Sequence, residues 1–329
     1  MNHNYDNITS NLRVADTWYI FGHENPDGDS IGTTLAFYSL ARRIGKKAVL
    51  VSKNAPSDTY SFLPHFSDIV VSATCPLVDK NSILLICDTA TMARSVENIA
   101  DILKSTKSIA LDHHVDNEQF ADINIVDASA SATAEIAYDV FEALGNGITQ
   151  EEAICLYTAI VTDCGNFAYS CTTSRTHEIA AKLLAVGANP SLINEALNKN
   201  MTHNMFIAWG LALLHTEIIC DGLVALFYLT ANDFERSQVI PSELEGLASF
   251  VMRLKGVEMG LFLTERADGI KLSVRSRVPY NSREIASCFG GGGHSCAAGA
   301  TLKCDFESAL SKIKESVKNY VTRRNITSL

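Results

Sequence analysis

The segment HENPDGDS (23–30) puts one histidine and two aspartates, His23, Asp27 and Asp29, within seven residues. Three further segments carry the same kinds of group: Asp88 behind the apolar run ILLIC, the triplet Asp112, His113 and His114 behind SIAL, and Asp163 behind ICLYTAIVT. Carboxylate oxygen and imidazole nitrogen suit manganese or a similar divalent first-row ion, whereas a thiolate-rich set would favour zinc or an iron–sulfur cluster. Asp27, Asp29, Asp88 and Asp163 together would bring four negative charges into one site. Like charges raise one another's pKa, so such a group stays ionised only beside cations. Two divalent ions balance it. A metal pair about 3.5–4 Å apart can share one carboxylate, and Asp88, alone at its strand end, is suited to be that bridge. Such a pair takes bound water from a pKa of 15.7 to about 7, relieving roughly 12 kcal/mol of deprotonation cost. The chemistry expected is hydrolysis of a phosphorus ester with no Ser or Cys nucleophile, His114 donating to the substrate phosphate.

Positioning these groups requires elements that end side by side. Short apolar runs at 17–22, 47–52, 82–87, 108–111 and 123–126 read as strands, and 30–43, 132–144, 151–162 and 174–186 carry apolar residues at helical spacing. Asp29 or Ser30 is the expected N-cap of the first of these helices. Gly187, with Pro190 just beyond, stops the last. Strands alternating with helices predict a doubly wound parallel sheet, whose sites lie at the carboxyl ends of its strands. Asp88 and the 112–114 triplet follow strands, as does the first segment; Asp163 follows a helix instead.

After Pro190 the texture becomes polar (SLINEALNKNMTHN) and then changes. Strands are expected at 223–229, 259–264 and 270–275, helices at 242–253, 282–287 and 306–320, and a hairpin at ERADG (265–269), where Asp-Gly suits a tight turn. The expected fold class is α/β, with a metal-binding domain at 1–190, a linker at 191–205 and a smaller α/β domain at 206–329, a cleft lying between the two. In that second part S-V-R-S-R (273–277) precedes F-G-G-G-G-H (289–294). Glycines let backbone N–H groups approach an anion, and Arg275, Arg277 and His294 can add charge-assisted hydrogen bonds, so Gly291, Gly292 and Gly293 with these side chains form a candidate phosphate clamp.

Bulk properties limit the partners. The chain of 329 residues is 47% hydrophobic and 19% charged, an ordinary globular composition long enough for about two domains. A net charge of −10 argues against holding a long nucleic-acid duplex, which needs clustered cations, but not against a short anionic ligand. Nine cysteines without a C-x-x-C pair, no long uncharged apolar run and no leader pattern predict reduced thiols, no membrane partner and a cytoplasmic protein.

The strings HENPDGDS, CDTA, DHH and TDCGNF, in this order, resemble the four signature motifs of the DHH phosphoesterase family, over roughly residues 15 to 190. The RSR and GGGH-x-x-A-A-G strings resemble the first type of DHH-associated domain, over roughly 205 to 325; family II inorganic pyrophosphatases have similar metal motifs but no such glycine loop. The resemblance implies two divalent ions, Mn²⁺ foremost with Mg²⁺ or Co²⁺ also suitable. His23 and Asp27 would hold one, Asp29, His113 and Asp163 the other, with Asp88 bridging, Asp112 orienting an imidazole and Asn25 meeting substrate. Within the family the chain is similar to the oligoribonuclease and pAp-phosphatase group. That implies hydrolysis of short single-stranded RNA to mononucleotides and of 3'-phosphoadenosine 5'-phosphate (pAp) to AMP, and a homodimer. The alternatives are a phosphodiesterase for pApA or cyclic dinucleotides, an exopolyphosphatase, or a nucleotide-binding sensor without turnover.

Overall fold

The computed structural model describes residues 5–76, 78–198, 201–244 and 246–327, and the chain divides into two compact units, Met1–Asn200 and Met201–Leu329. The first unit runs α1 (Tyr5–Val14), β1 (Thr17–Phe21), α2 (Gly28–Arg43), β2 (Lys47–Ser52), β3 (Val70–Val71), β4 (Ser82–Cys87), α3 (Ile99–Leu103), β5 (Lys107–Asp112), β6 (Ile123–Val126), α4 (Thr133–Leu144), α5 (Gln150–Asp163), α6 (Ser174–Val186) and α7 (Pro190–Asn198). Its six strands pair in the order β3-β2-β1-β4-β5-β6, all parallel. The order reverses between β1 and β4, so their carboxyl ends frame the crevice where open α/β sheets bind ligands.

The expected α/β class and doubly wound sheet are present. All five residues of β1 are buried, because a central parallel strand is covered on both faces. Trp18 and Ile20 pack with α2, α4 and α5, whereas Tyr19 and Phe21 pack with Val96 and Ile99 at α3 on the other face. Fourteen of the 16 residues of α2 are buried, so it lies inside the unit and must be approached closely by its neighbours. Gly32 permits this: a Cβ there would stand 2.4 Å from the Cys155 carbonyl oxygen on α5. The N-cap of α2 is Asp27, whose side chain accepts the N–H groups of Asp29 and Ser30, rather than Asp29 or Ser30 itself. The helix starts earlier than the apolar spacing indicates because Gly28 and Asp29, though not apolar, already lie in its first turn. Helix α5 opens on a Thr149/Glu152 capping box and ends at Asp163.

The second unit contains α8 (His203–Leu214), β7 (Glu217–Ile219), β8 (Val224–Leu229), α9 (Ala231–Ser237), α10 (Leu247–Phe250), β9 (Met259–Arg266), β10 (Gly269–Ser276), α11 (Ser282–Ser287), β11 (Gly292–Gly293), β12 (Ala297–Leu302) and α12 (Phe306–Thr327). Its sheet order is β11-β12-β10-β9-β8-β7. Strands β8 and β9 are parallel and the other pairs antiparallel. The ERADG turn joins β9 to β10 as expected, with Arg266 paired to Gly269.

Three expectations need correction. The 191–205 stretch read as a linker is helical over α7 and again from His203, since its polar residues cover helices whose apolar sides include buried Ile193 and Ala208. The single helix expected at 242–253 is broken into 3-10 turns at Pro241–Leu244 and Val251–Arg253 around the short α10, with Gly246 at φ 85°; Glu245 lies outside the described residues. Strand β12 was not anticipated, because Ala-Ala-Gly-Ala lacks the branched residues that mark strands.

Candidate metal centre

His23 follows β1 and is buried, and its N–H donates to Ser30 Oγ at 3.3 Å across the turn into α2. Asp29, in the first turn of α2, is 1% exposed and accepts three hydrogen bonds: Thr133 N at 2.6 Å, Ala134 N at 3.1 Å and Thr33 Oγ1 at 3.1 Å. Two of these donors are the first N–H groups of α4, which a helix leaves without internal partners and which favour a negative charge. Asp88, just past β4, adopts φ 54°, a left-handed conformation that Asp tolerates better than most residues and that marks functional positions. The Thr133 hydroxyl donates to Asp88 Oδ1 at 3.3 Å. His113 follows β5, and Asp163 closes α5.

The side chains converge on the end of the sheet. His23 Nε2 lies 3.5 Å from Asp88 Oδ2 and 3.6 Å from Asp27 Oδ2. His113 Nε2 lies 3.3 Å from Asp163 Oδ2, 3.8 Å from Asp88 Oδ1 and 4.0 Å from Asp29 Oδ2. The two oxygens of Asp88 thus face two different imidazoles. Among the described residues, His23/Asp27/Asp88 and Asp29/His113/Asp163 each bring their ligand atoms within 4.8 Å of one another, as does a third set, Asp88/His113/His114. In that third set His114 Nδ1 is 2.7 Å from Asp112 Oδ1 but 3.6 Å from Asp88, so its ring is held by Asp112.

These residues fit a cation on their own chemistry. His113 Nδ1 meets the Ala130 carbonyl oxygen at 3.3 Å. A carbonyl can only accept, so the neutral ring carries its proton on Nδ1 and turns the Nε2 lone pair toward the carboxylates. Lone pairs facing anionic oxygens repel unless a positive ion stands among them. The carboxylates report the same deficit: burial, with Asp163 and Asp27 nearby, pushes Asp29 up to about 7 despite His113. Burial and four neighbouring aspartates, Asp29 foremost, hold Asp88 well above the usual range. Burial also raises Asp163. The oxygen and nitrogen donors suit Mn²⁺, Co²⁺ or Mg²⁺ and contain no thiolate.

Asp112 is fully buried at the end of β5 and accepts from His114 Nδ1, from His113 N at 2.9 Å and from Asn117 Nδ2 at 2.6 Å. Burial would raise its pKa, but the hydrogen bonds from His114 and Asn117 outweigh that and lower it. Asn117 also donates to the Thr89 carbonyl at 3.1 Å, tying this loop to the residue beside Asp88. Neither Asn117 nor Thr133 stands out in the sequence. Asn117 looks like a turn residue, and only the start of a helix at Thr133, aimed at an aspartate, could have drawn attention to it. Asn25, expected to meet substrate, accepts from Asn54 Nδ2 at 3.0 Å, beside the Glu24–Lys53 pair at 2.9 Å.

The clamp residues gather at one end of the second unit's sheet. Arg275 pairs with Ala297 across β10 and β12, and its side chain donates to Ser249 Oγ at 3.3 Å and Val274 O at 3.0 Å. The Arg277 guanidinium is engaged by backbone, donating to Met252 O at 2.7 Å and Val257 O at 3.2 Å. Gly292 and Gly293 form the edge strand β11 against β12, so this part of the glycine run is an ordered hairpin rather than an open loop. Gly291 is required there, since a Cβ would stand 2.1 Å from the Gly299 carbonyl oxygen. His294 closes the hairpin, its N–H donating to Ala297 O at 2.8 Å while the side chain is exposed.

Comparison with known proteins places this geometry. The DHH family, N-terminal domain, matches residues 17–160, and the DHHA1 domain matches 223–322. A bifunctional oligoribonuclease and PAP phosphatase NrnA of Thermus thermophilus is 32% identical over 93% of this chain and 90% of its own length. The chain belongs to the DHH family. A second DHH relative, the Bacillus subtilis protein of the same name, is 25% identical over 88% of this chain and 91% of its own length. The crystal structure of an exopolyphosphatase-related protein from Bacteroides fragilis superposes with a TM-score of 0.82 at 25% identity, covering 96% of each chain. Among the described residues, no helix is long and apolar enough to cross a membrane.

Proposed function

We propose that this DHH protein is a two-metal phosphoesterase that hydrolyses short oligoribonucleotides to mononucleotides and pAp to AMP. The observation that carries the reading is the Asp88 carboxylate, whose two oxygens face the Nε2 atoms of His23 and His113 at 3.5 and 3.8 Å. That arrangement suits two ions, His23 and Asp27 on one side, Asp29, His113 and Asp163 on the other, with Asp88 between. Divalent ions there, Mn²⁺ foremost, would polarise the phosphoryl oxygens and lower the pKa of bound water. The chain's own residues supply orientation. The first turn of α4 fixes Asp29, and Ala130 fixes the His113 tautomer. Asp112 holds His114 by Nδ1 and raises its pKa through that hydrogen bond, and in the protonated ring Nε2 is the atom that donates to a phosphoryl oxygen.

Residues 1–190 are read as the catalytic metal-binding domain and 206–329 as the substrate-holding domain, with Arg275, His294 and Gly291–Gly293 meeting the nucleotide. Arg277 is better read as shaping that end of the sheet, since its guanidinium is engaged by two carbonyls. The relatives' activities, oligoribonuclease and PAP phosphatase, support the substrate choice. A cytoplasmic location and a homodimer complete the reading, the latter checked by sedimentation. The deciding experiment gives the purified protein Mn²⁺ or Mg²⁺ with a labelled dinucleotide, pAp and, because of the Bacteroides fragilis structure, polyphosphate. Turnover of the first two is expected. A folded, metal-loaded protein that turns over neither refutes the substrate assignment, and full activity of Asp88→Ala or His113→Ala refutes the ligand assignment.

A further inference from the structure

The metal cluster is ringed by loops that leave the carboxyl ends of β1, β2, β4, β5 and β6 and the end of α5. Among the described residues of those loops, Lys53 and Arg94 are the only lysine and arginine. Lys53 is already matched, its ammonium lying 2.9 Å from Glu24. Arg94 is partly exposed, and no carboxylate among the described residues lies within ion-pair distance of it. Its place is fixed from two sides. It stands six residues after Asp88 on a 3-10 turn (Met92–Arg94), and its carbonyl oxygen accepts the Glu24 N–H at 2.6 Å, directly after His23. The loop that carries it is tied to the His114 loop by Glu118 N donating to Ala90 O at 2.9 Å and Asn117 Nδ2 donating to Thr89 O at 3.1 Å. The Arg94 charge is felt at both Glu24 and His114.

We infer that Arg94 is a specificity residue that binds a second, non-reacting phosphate of the substrate, the 5'-phosphate of pAp or of a 5'-phosphorylated dinucleotide. This rests on the phosphoesterase reading above. Two divalent ions only balance Asp27, Asp29, Asp88 and Asp163, and Lys53 only balances Glu24. Among the described residues of these loops, a phosphate beyond the reacting one thus finds no other uncommitted lysine or arginine, and Arg94 supplies that charge. A guanidinium is well matched to that task, because its planar fork takes two phosphate oxygens at once.

The test compares wild type, Arg94→Lys and Arg94→Ala, with Mn²⁺, on two substrate pairs: pAp against 3'-AMP, and pApA against ApA. Wild type prefers the member with the 5'-phosphate. Losing a charge-assisted hydrogen bond reduces that preference, the ratio of kcat/KM values, by about 10- to 100-fold in Arg94→Ala, mainly through KM, with Arg94→Lys between. A ratio that stays within about threefold of wild type overturns the inference. Calorimetric binding of 5'-AMP and of adenosine to the Mn²⁺-loaded proteins gives a second readout that needs no turnover. Weaker AMP binding by Arg94→Ala at equal adenosine binding supports the assignment, and AMP binding that does not distinguish the two proteins, including none by either, overturns it. Failure of wild type on all four substrates sinks the phosphoesterase reading, while the AMP comparison still decides Arg94.

Discussion

Replacing Gly32 by alanine should loosen the fold and the metal centre together. The added Cβ would lie 2.4 Å from Cys155 O, 2.9 Å from Ala159 Cβ and 3.1 Å from Ala159 N. Two of these three contacts are backbone atoms of α5, which cannot rotate away as a side-chain tip could. Alanine gains about 1 kcal/mol of helix propensity over glycine. Overpacking costs about 1–3 kcal/mol, and a clash with a helix backbone belongs at the upper end, so the net loss should be about 1–2 kcal/mol. At about 2–4 °C per kcal/mol for a unit of this size, the melting temperature should fall by roughly 2–8 °C. The strain has a direction: α2 begins with Asp27 and Asp29 and α5 ends with Asp163. Prising the helices apart separates Asp29 from Asp163, the two carboxylates assigned to one ion. Thermal unfolding in chelator, followed by Mn²⁺ titration of the refolded protein, reads both effects. A Gly32→Ala protein as stable as wild type with the same Mn²⁺ affinity would show that the α2–α5 approach does not set the ligand spacing.

Asp88→Asn and Asp88→Ala should both abolish turnover, but differ in stability. Asparagine tolerates φ 54° and alanine pays about 1–2 kcal/mol there, so circular-dichroism melts in chelator should rank Asn above Ala, and the reverse order would contradict the backbone argument. The metal-free protein should lose stability as pH rises from about 4 to about 7. Asp29, pushed up to about 7 by burial, keeps a proton in the folded state that the unfolded chain has already released; urea midpoints that rise across this window in chelator would count against it. Glu152→Ala removes a fully buried carboxylate that pairs with Arg43 at 2.9 and 3.0 Å and caps α5. The expected loss is about 3–5 kcal/mol in urea unfolding, and a loss below 1 kcal/mol would mean that solvent takes over both roles.

Much of the first unit is legible because its short apolar runs, bounded by polar residues and alternating with helical patterns, mark buried parallel strands. ILLIC and SIAL announce β4 and β5, and the polar residue after each must sit at the sheet's carboxyl end. His23, Asp27, Asp29, Asp88, His113 and Asp163 could therefore be expected in one place, and they do lie together. What holds them was not legible. Thr133 serves through its backbone N–H, which every residue but proline has, and Asn117 through a tertiary contact that no spacing encodes. In the second unit, Arg277 resembles a ligand-binding cation in sequence but is spent on carbonyl groups; in the first, α7 lies in a polar stretch that gives little sign of its buried Ile193.

The groups that converge around Asp88 come from positions 23 to 163, most of the first unit, and the two trios together draw on the ends of β1, β4, β5 and α5. A chain still emerging from the ribosome has the early aspartates before it has Asp163 and the α5 helix that carries it. Loading with metal is thus a certificate of finished folding, and unfinished copies stay inert instead of becoming indiscriminate hydrolases.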